Sequence, residues 1–310
     1  MSTVTGVVEG FATIGAVIAL GALLAHLEVF DLTAQHVLSR LSFYVASPAL
    51  MITVLQDADV TDVLSRNLAA SLSAVVATGL LYVVFAVLVV RHGVADTVIG
   101  MLASSYVNAG NLGLPIAAYV LGDAALVAPT LLLQMLVLQP LALTVLDLSV
   151  AEHGLSWWWL ATRPLRTPLT LASLIGLTLS VTSTPLPTVV HDPLTLVGAM
   201  AVPGVLIAYG VSLRLGPRPG SGGGPLVLAT IVVLKLVVQP VVAYTVGRFA
   251  LGMDGEPLLA VTVLAALPAA QNIFVIATRY DRAVVLSRDA IFATTVLSVP
   301  TIAVIAALLT

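Results

Sequence analysis

Apolar stretches recur along the whole chain, and short polar segments separate them. A helix of about 20 apolar residues crosses the hydrocarbon core of a bilayer. These stretches are continuously apolar and do not alternate at every second residue, which excludes a strand barrel. The pattern therefore predicts an all-α polytopic membrane protein with ten transmembrane helices, near residues 6–26, 36–56, 67–90, 96–121, 124–146, 167–184, 191–213, 225–250, 257–280 and 286–309.

The composition agrees with burial in lipid. Of the 310 residues, 59% are hydrophobic and 9% are charged, whereas a soluble domain carries about 25% charged residues. Cysteine is absent, and the five histidines fall at span edges or in loops. We therefore expect no metal site and no cofactor. The net charge of −3, without a basic run, gives no support for a nucleic-acid partner.

The arginines of the connecting segments predict the orientation. If the N-terminus is outside, two arginines face outside and nine face inside, which is the bias expected of cytoplasmic loops. The inside set is Arg40, Arg91, Arg163, Arg166, Arg214, Arg218, Arg279, Arg282 and Arg288, and the outside set is Arg66 and Arg248. This predicts a multi-pass protein of the cytoplasmic (inner) membrane with both termini outside.

Prolines recur at a similar offset in the two halves of the chain. Pro203 follows Pro48 by 155 positions, and Pro300 follows Pro140 by 160 positions. Because each half holds five predicted helices, an odd number, the halves must insert with opposite orientation. The chain is thus predicted to contain two inverted five-helix repeats. The repeats cover 1–148 and 167–310, and an inside-facing loop with a tryptophan cluster, 149–166, joins them.

The fourth span is interrupted near its middle by Asn108, Gly110, Asn111, Gly113 and Pro115. The proline removes a backbone donor, and the glycines permit backbone angles that other residues avoid. The helix should unwind here, in the middle of the bilayer, where each unpaired backbone group costs several kcal/mol. We expect the two asparagines to bind substrate, and the glycines and the proline to shape the break.

The ninth span carries a similar interruption, in which Pro268 precedes Gln271 and Asn272. Their amides can bind a solute or complete the freed backbone. Two interrupted helices in corresponding halves predict a central binding site, and the N-terminal ends of half-helices favour an anion. Asn111 and Gln271 have an alternative role, since each can simply cap a half-helix.

A few other polar residues lie within the predicted spans. Lys235 is the only charge expected deep in a span, either as a structural tether or as a counter-charge for an anion. Ser47 lies in the second span and is a further candidate ligand. Gln139 and Gln239 each precede a proline and are expected to repair the hydrogen bonding around it.

Three short motifs resemble the auxin efflux carrier family, which includes prokaryotic permeases for small dicarboxylates. They are N-x-G-N-x-G-x-P at 108–115, ALPAAQN at 266–272 and ASPAL at 46–50. The resemblance implies that helices 4 and 9 cross at their breaks, with Asn108 as a substrate-contacting asparagine. It also implies a scaffold domain of helices 1, 2, 6 and 7 that commonly forms a homodimer, and a transport domain of helices 3–5 and 8–10.

Together these features predict a secondary transporter that moves a small organic anion, a mono- or dicarboxylate, by alternating access. We expect no enzyme, because the sequence shows no nucleophile motif and no phosphate-binding loop. Two alternatives remain open. One is a sodium-coupled symporter of the bile-acid type, and the other is a membrane sensor that binds a ligand without moving it.

Overall fold

The computed structural model describes residues 3–56, 66–113, 116–117, 121, 124–150, 168–216 and 224–309. These residues are mostly helical. The helices are α1 (Thr3–His26), α2 (Leu32–Gln56), α3 (Arg66–Val90), α4 (Val94–Ser105), α5 (Pro129–Ser149), α6 (Pro168–Val181), α7 (Thr188–Leu215), α8 (Pro225–Ala250), α9 (Gly255–Ala265), α10 (Asn272–Tyr280) and α11 (Val284–Leu309). Pro115 and the tryptophan cluster lie outside the described residues.

Each predicted span coincides with helical structure. Among the described residues, six helices are long and apolar enough to cross a membrane, and four further apolar helices are shorter. The chain is therefore a multi-pass membrane protein. The full arrangement of ten spans in two inverted repeats stays a prediction.

Two of the short helices are short because their spans are broken. The helix α4 has 12 residues and ends at Ser105, and α9 has 11 residues and ends at Ala265. At about 1.5 Å per residue, either covers roughly half of a hydrocarbon core of about 30 Å. Both spans thus lose helical structure near their middle, as their sequences predict.

Structural features also recur between the halves. A π-helical turn, Ala86–Val90, ends α3, and another, Val246–Ala250, ends α8, which is 160 positions later. A π-helical turn inserts one extra residue per turn and is an uncommon feature of helices. Other π-helical turns of the described residues, Gln134–Leu138 and Leu234–Val238, do not recur at this offset, so the duplication stays a prediction.

The helices pack in two groups. The first contains α1, α2, α6 and α7, in which α1 packs against α7 and α2 packs against α6 and α7. The second contains α3, α4, α5 and α8 to α11, in which α3 packs against α4 and α8, and α11 packs against α9 and α10. The helix α10 contacts α2 and α7 and so connects the groups.

Glycines permit the closest helix contact of the first group. Gly21 of α1 lies against the backbone of Ile207 in α7, and Gly210 of α7 lies against the backbone of Ile18 in α1. A Cβ atom at either glycine would overlap the facing main chain. Close approach of helices at small residues is the usual way for membrane helices to gain packing energy.

A buried ion pair corrects the expected placement of charges. Arg288 was expected in an inside loop, yet Arg288 and Asp289 lie near the N-terminal end of α11 and are 1% and 2% exposed. Arg288 donates to Asp289 over 2.6 Å and to the carbonyl of Ser212 in α7 over 3.2 Å. Hydropathy at a span end cannot distinguish a loop charge from one that a neighbouring helix covers.

Candidate functional site

The two interrupted spans meet at an isolated antiparallel bridge between Val107 and Ala269. The backbone N–H of Asn108 donates to the carbonyl of Pro268 over 2.9 Å, and the N–H of Ala270 donates to the carbonyl of Tyr106 over 3.2 Å. Each unwound segment therefore satisfies part of the backbone that the other leaves unpaired, which a break inside a membrane requires.

Side chains from neighbouring helices accept hydrogen bonds from the backbone N–H groups of the two bridge residues. The N–H of Val107 donates to Gln134 Oε1 of α5 over 2.7 Å, and the N–H of Ala269 donates to Thr294 Oγ1 of α11 over 3.1 Å. Both acceptors are buried. Thr294 was not predicted, because a lone threonine in an apolar span carries no sequence signal.

The carbonyl ends of the two half-helices are bonded by one pair of residues in α8. Gln239 Nε2 donates to the carbonyl of Ser105, the last residue of α4, over 2.8 Å. Lys235 Nζ donates to the carbonyl of Ala265, the last residue of α9, over 3.0 Å, and to Gln239 Oε1 over 2.6 Å. Of the two roles left open for Lys235, this geometry is that of a tether.

The expectation for the two Gln–Pro pairs was wrong. Gln239 bonds the end of α4, and Gln139 accepts hydrogen bonds from Tyr106 Oη over 3.1 Å and from Asn272 Nδ2 over 3.2 Å. Each glutamine follows a π-helical turn of its own helix. Both amides thus serve the broken spans rather than their own prolines.

The predicted amides are paired across the two breaks. Asn108 Nδ2 donates to Gln271 Oε1 over 2.6 Å, which joins the fourth span to the ninth. Asn272 Nδ2 donates to Gln139, and it lies 3.4 Å from Tyr106 Oη. Asn272 Oδ1 is buried and has no hydrogen-bond partner among the described residues.

A cavity of about 100 Å³, partly open to solvent, lies beside the paired breaks. Its wall comes from both helix groups, with α2 and α7 on one side and α5, α10 and the fourth-span break on the other. The polar side chains that line it are Ser47, Tyr106, Asn108, Gln134, Gln139 and Asn272.

The other predicted site residues have different positions. Gly110 lines the cavity, whereas Gln271, Pro268 and Lys235 do not. Gly113 packs against Leu267, which a Cβ atom at this glycine would approach to 3.3 Å. The side chain of Asn111 lies outside the described residues. The structure thus brings Ser47, Asn108 and Asn272 to one cavity and puts Gln271 behind Asn108.

The described wall of this central cavity carries no charged side chain. Its donors are amide and hydroxyl groups, together with the N-terminal end of α10, which begins at Asn272. The N-terminus of a helix carries about half a positive elementary charge. An anion in this cavity would therefore meet neutral donors and one helix dipole. Tyr106 and Gln134 line the cavity without having been predicted as ligands, and Gln139 lines it although it was expected to serve its own proline.

The sequence of this chain matches a family of known proteins. A family described as "Membrane transport protein" matches residues 7–153 and 157–306. The chain is also similar to a protein of Rhizobium meliloti (strain 1021) named "Putative malonate transporter". The two are 28% identical over 315 residues, which cover 97% of this chain and 94% of that protein.

Proposed function

The chain belongs to the membrane transport protein family, the auxin efflux carrier family that its motifs resemble, and on that premise we propose that it carries a small organic anion, a mono- or dicarboxylate. The observation that supports this proposal most directly is the position of Asn108 and Asn272. They come from two different broken spans, yet both line one cavity between the two helix groups.

The proposed binding mode follows from the donors of the cavity. A carboxylate accepts hydrogen bonds from amide N–H and hydroxyl groups, and Asn108, Asn272 and Tyr106 carry both kinds. Because Tyr106 Oη and Asn272 Nδ2 donate to Gln139 in this structure, a bound carboxylate would replace Gln139 as their acceptor. The N-terminal end of α10 adds favourable charge without a buried cation. A buried cation would bind a small anion tightly and slow its release, whereas neutral donors bind it less tightly. A carrier has to release its substrate on the far side.

The proposed transport step is a movement of one helix group against the other. The group α1, α2, α6 and α7 corresponds to the expected scaffold, and the remaining helices correspond to the expected transport domain. Because the cavity lies between the groups, sliding or rocking would expose it to each side of the membrane in turn. The scaffold would also form the homodimer that the family resemblance implies.

Counterflow in proteoliposomes tests the proposal. Proteoliposomes that contain the purified protein and are preloaded with unlabelled malonate should accumulate radiolabelled malonate. Asn108→Ala or Asn272→Ala should abolish this accumulation while the protein stays folded. Asn67→Ala is the matched control, because Asn67 bonds the carbonyl of Leu126 and lies outside the central cavity. Equal counterflow in Asn108→Ala and Asn67→Ala would disprove the site.

The same vesicles separate the alternatives. Accumulation that needs a sodium gradient would favour the sodium-coupled symporter, and binding without accumulation would favour the sensor. Orientation can be tested by single-cysteine labelling, since the chain has no cysteine of its own. With both termini outside, an impermeant maleimide should label Glu256→Cys in intact cells and Arg282→Cys only after permeabilisation.

A further inference from the structure

A second cavity, of about 240 Å³, lies beside the central one. Its polar lining residues, which define the basic vestibule, are His36, Ser39, Arg40, Tyr44, Thr278 and Arg279. One arginine comes from α2 and the other from α10. Both arginines belong to the set that the sequence predicts to face inside, so the vestibule lies on the predicted inner side of the central cavity.

The two guanidinium groups of the vestibule belong to exposed side chains, and no carboxylate of the described residues neutralises them. Arg279 lies over the ring of Tyr44, 5.2 Å from its centroid, and 5.5 Å from that of Tyr280. Within the described part of the chain, neither Arg40 nor Arg279 has a carboxylate partner, and the vestibule contains no acidic side chain. Two positive charges thus face one space.

A buried hydroxyl in the same wall also lacks a partner. Thr278 is 6% exposed, and its Oγ1 makes no hydrogen bond among the described residues. A buried hydroxyl without a partner is unfavourable, because it has lost its hydrogen bonds to water. A bound acceptor, such as a carboxylate oxygen, would remove that cost, so the site offers two cations and one hydroxyl donor to a ligand.

The basic vestibule and the central cavity share a thin apolar wall. Phe43 and Val275 line both cavities, and both are 3% exposed. Phe43 also packs edge-on against Tyr44, with ring centroids 5.1 Å apart. The aromatic ring that supports Arg279 therefore contacts the side chain that separates the two cavities.

We propose that the basic vestibule is a second, outer binding site for the organic anion, occupied as the anion enters or leaves the central cavity. This inference rests on the proposed function. The ligand class is a small dicarboxylate, because each arginine can bind one carboxylate through two parallel hydrogen bonds. Solvent-exposed guanidinium groups bind anions in a salt-dependent manner, whereas the central cavity binds through neutral donors.

Equilibrium binding of radiolabelled malonate to the full-length protein in nanodiscs of zwitterionic lipid tests this proposal. In the Asn108→Ala background, which impairs the central site, salt-sensitive binding should persist. Adding Arg40→Gln and Arg279→Gln should weaken it by about tenfold for each arginine. The matched control is Arg282→Gln, an exposed inside arginine that does not line the vestibule. No binding in the Asn108→Ala background, or equal binding in all variants, would overturn the proposal.

Transport by the same vestibule variants, with Asn108 intact, distinguishes this inference from the proposed function. The KM for malonate should rise at least tenfold at an unchanged maximal rate. The double variant Arg40→Lys and Arg279→Lys should have a KM between those of the wild type and the glutamine variant. Normal counterflow with an unchanged KM would overturn the outer site and leave the proposed function intact. Salt-sensitive binding at the vestibule without any counterflow would support the outer site and overturn the proposed transport function.

Anionic lipid is the other source of this ligand chemistry. Binding is therefore repeated in nanodiscs that contain phosphatidylglycerol. Malonate binding that is unchanged by this lipid supports a site for a free anion. Malonate that is displaced by the lipid would identify the vestibule as a headgroup site and overturn the proposal.

Discussion

Lys235 Nζ donates to the backbone carbonyl of Ala265 over 3.0 Å, at the point where α9 ends. Through Gln239, which accepts from the same ammonium, the contact extends to the carbonyl of Ser105 at the end of α4. The C-terminal end of a helix carries about half a negative elementary charge. One ammonium thus lies near the negative ends of two half-helices.

Replacing Lys235 with Met should therefore destabilise the protein. The change leaves the carbonyl of Ala265 without its charged donor, and an unsatisfied buried group costs about 1–3 kcal/mol. We expect a lower midpoint of thermal unfolding in detergent, with Arg282→Met as the exposed control. An unchanged midpoint together with lost malonate binding would instead identify Lys235 as a counter-charge for the substrate.

Asn108 and Gln271 should act as one unit. Because Gln271 accepts from Asn108 over 2.6 Å and does not line the cavity, we expect Gln271→Ala to weaken malonate binding through the orientation of Asn108. In a double-mutant cycle, the coupling energy should be about 0.5–3 kcal/mol. The measurement is malonate affinity in the wild type, the two single variants and the double variant. Strictly additive losses would show that Gln271 does not position Asn108.

Gly21→Ala should destabilise the contact between α1 and α7. The added Cβ atom would overlap the backbone of Ile207, and overpacking of this kind costs about 1–3 kcal/mol. Gly15→Ala in the same helix is the control, because a Cβ atom there meets nothing within 4 Å. The midpoint of thermal unfolding should fall for the first variant and be unchanged or higher for the second. Equal midpoints would argue against the close packing.

The buried pair of Arg288 and Asp289 should be more sensitive to single than to double replacement. Breaking a buried pair by removing one partner costs about 3–5 kcal/mol, since the other charge stays buried, whereas replacing both by apolar residues can be nearly neutral. Thermal unfolding of Arg288→Met, Asp289→Leu and the double variant tests this. A double variant less stable than either single one would contradict it.

The break positions were predictable because they depend on local chemistry. A single proline does not break a span, since Pro300 lies inside α11, but the runs at 108–115 and 266–272 combine proline with amide residues. In the fourth span the non-helical residues are 106–108, just before the predicted glycines, and Ala109–Gly113 forms a π-helical turn. The helices were predictable as well, since continuous apolar runs of spanning length are sufficient to place them.

The partners of the freed backbone groups were not predictable. Gln239 bonds Ser105 across 134 positions of the chain, and Thr294 bonds Ala269 from another helix. No local periodicity encodes such pairs, because they depend on which helices pack together and at what rotation. For the same reason the sequence did not distinguish Asn272, which lines the cavity, from Gln271, which lies behind Asn108.

The sequence by itself thus determined that this is a multi-pass helical membrane protein and where two of its spans break, because apolar length and helix-breaking residues act locally. Only the tertiary structure decided that the two breaks pair and that Lys235 donates to the carbonyl end of α9. It also decided that Arg288 is buried and that the arginines of α2 and α10 face one vestibule. These relationships follow from contacts between helices that are distant in sequence.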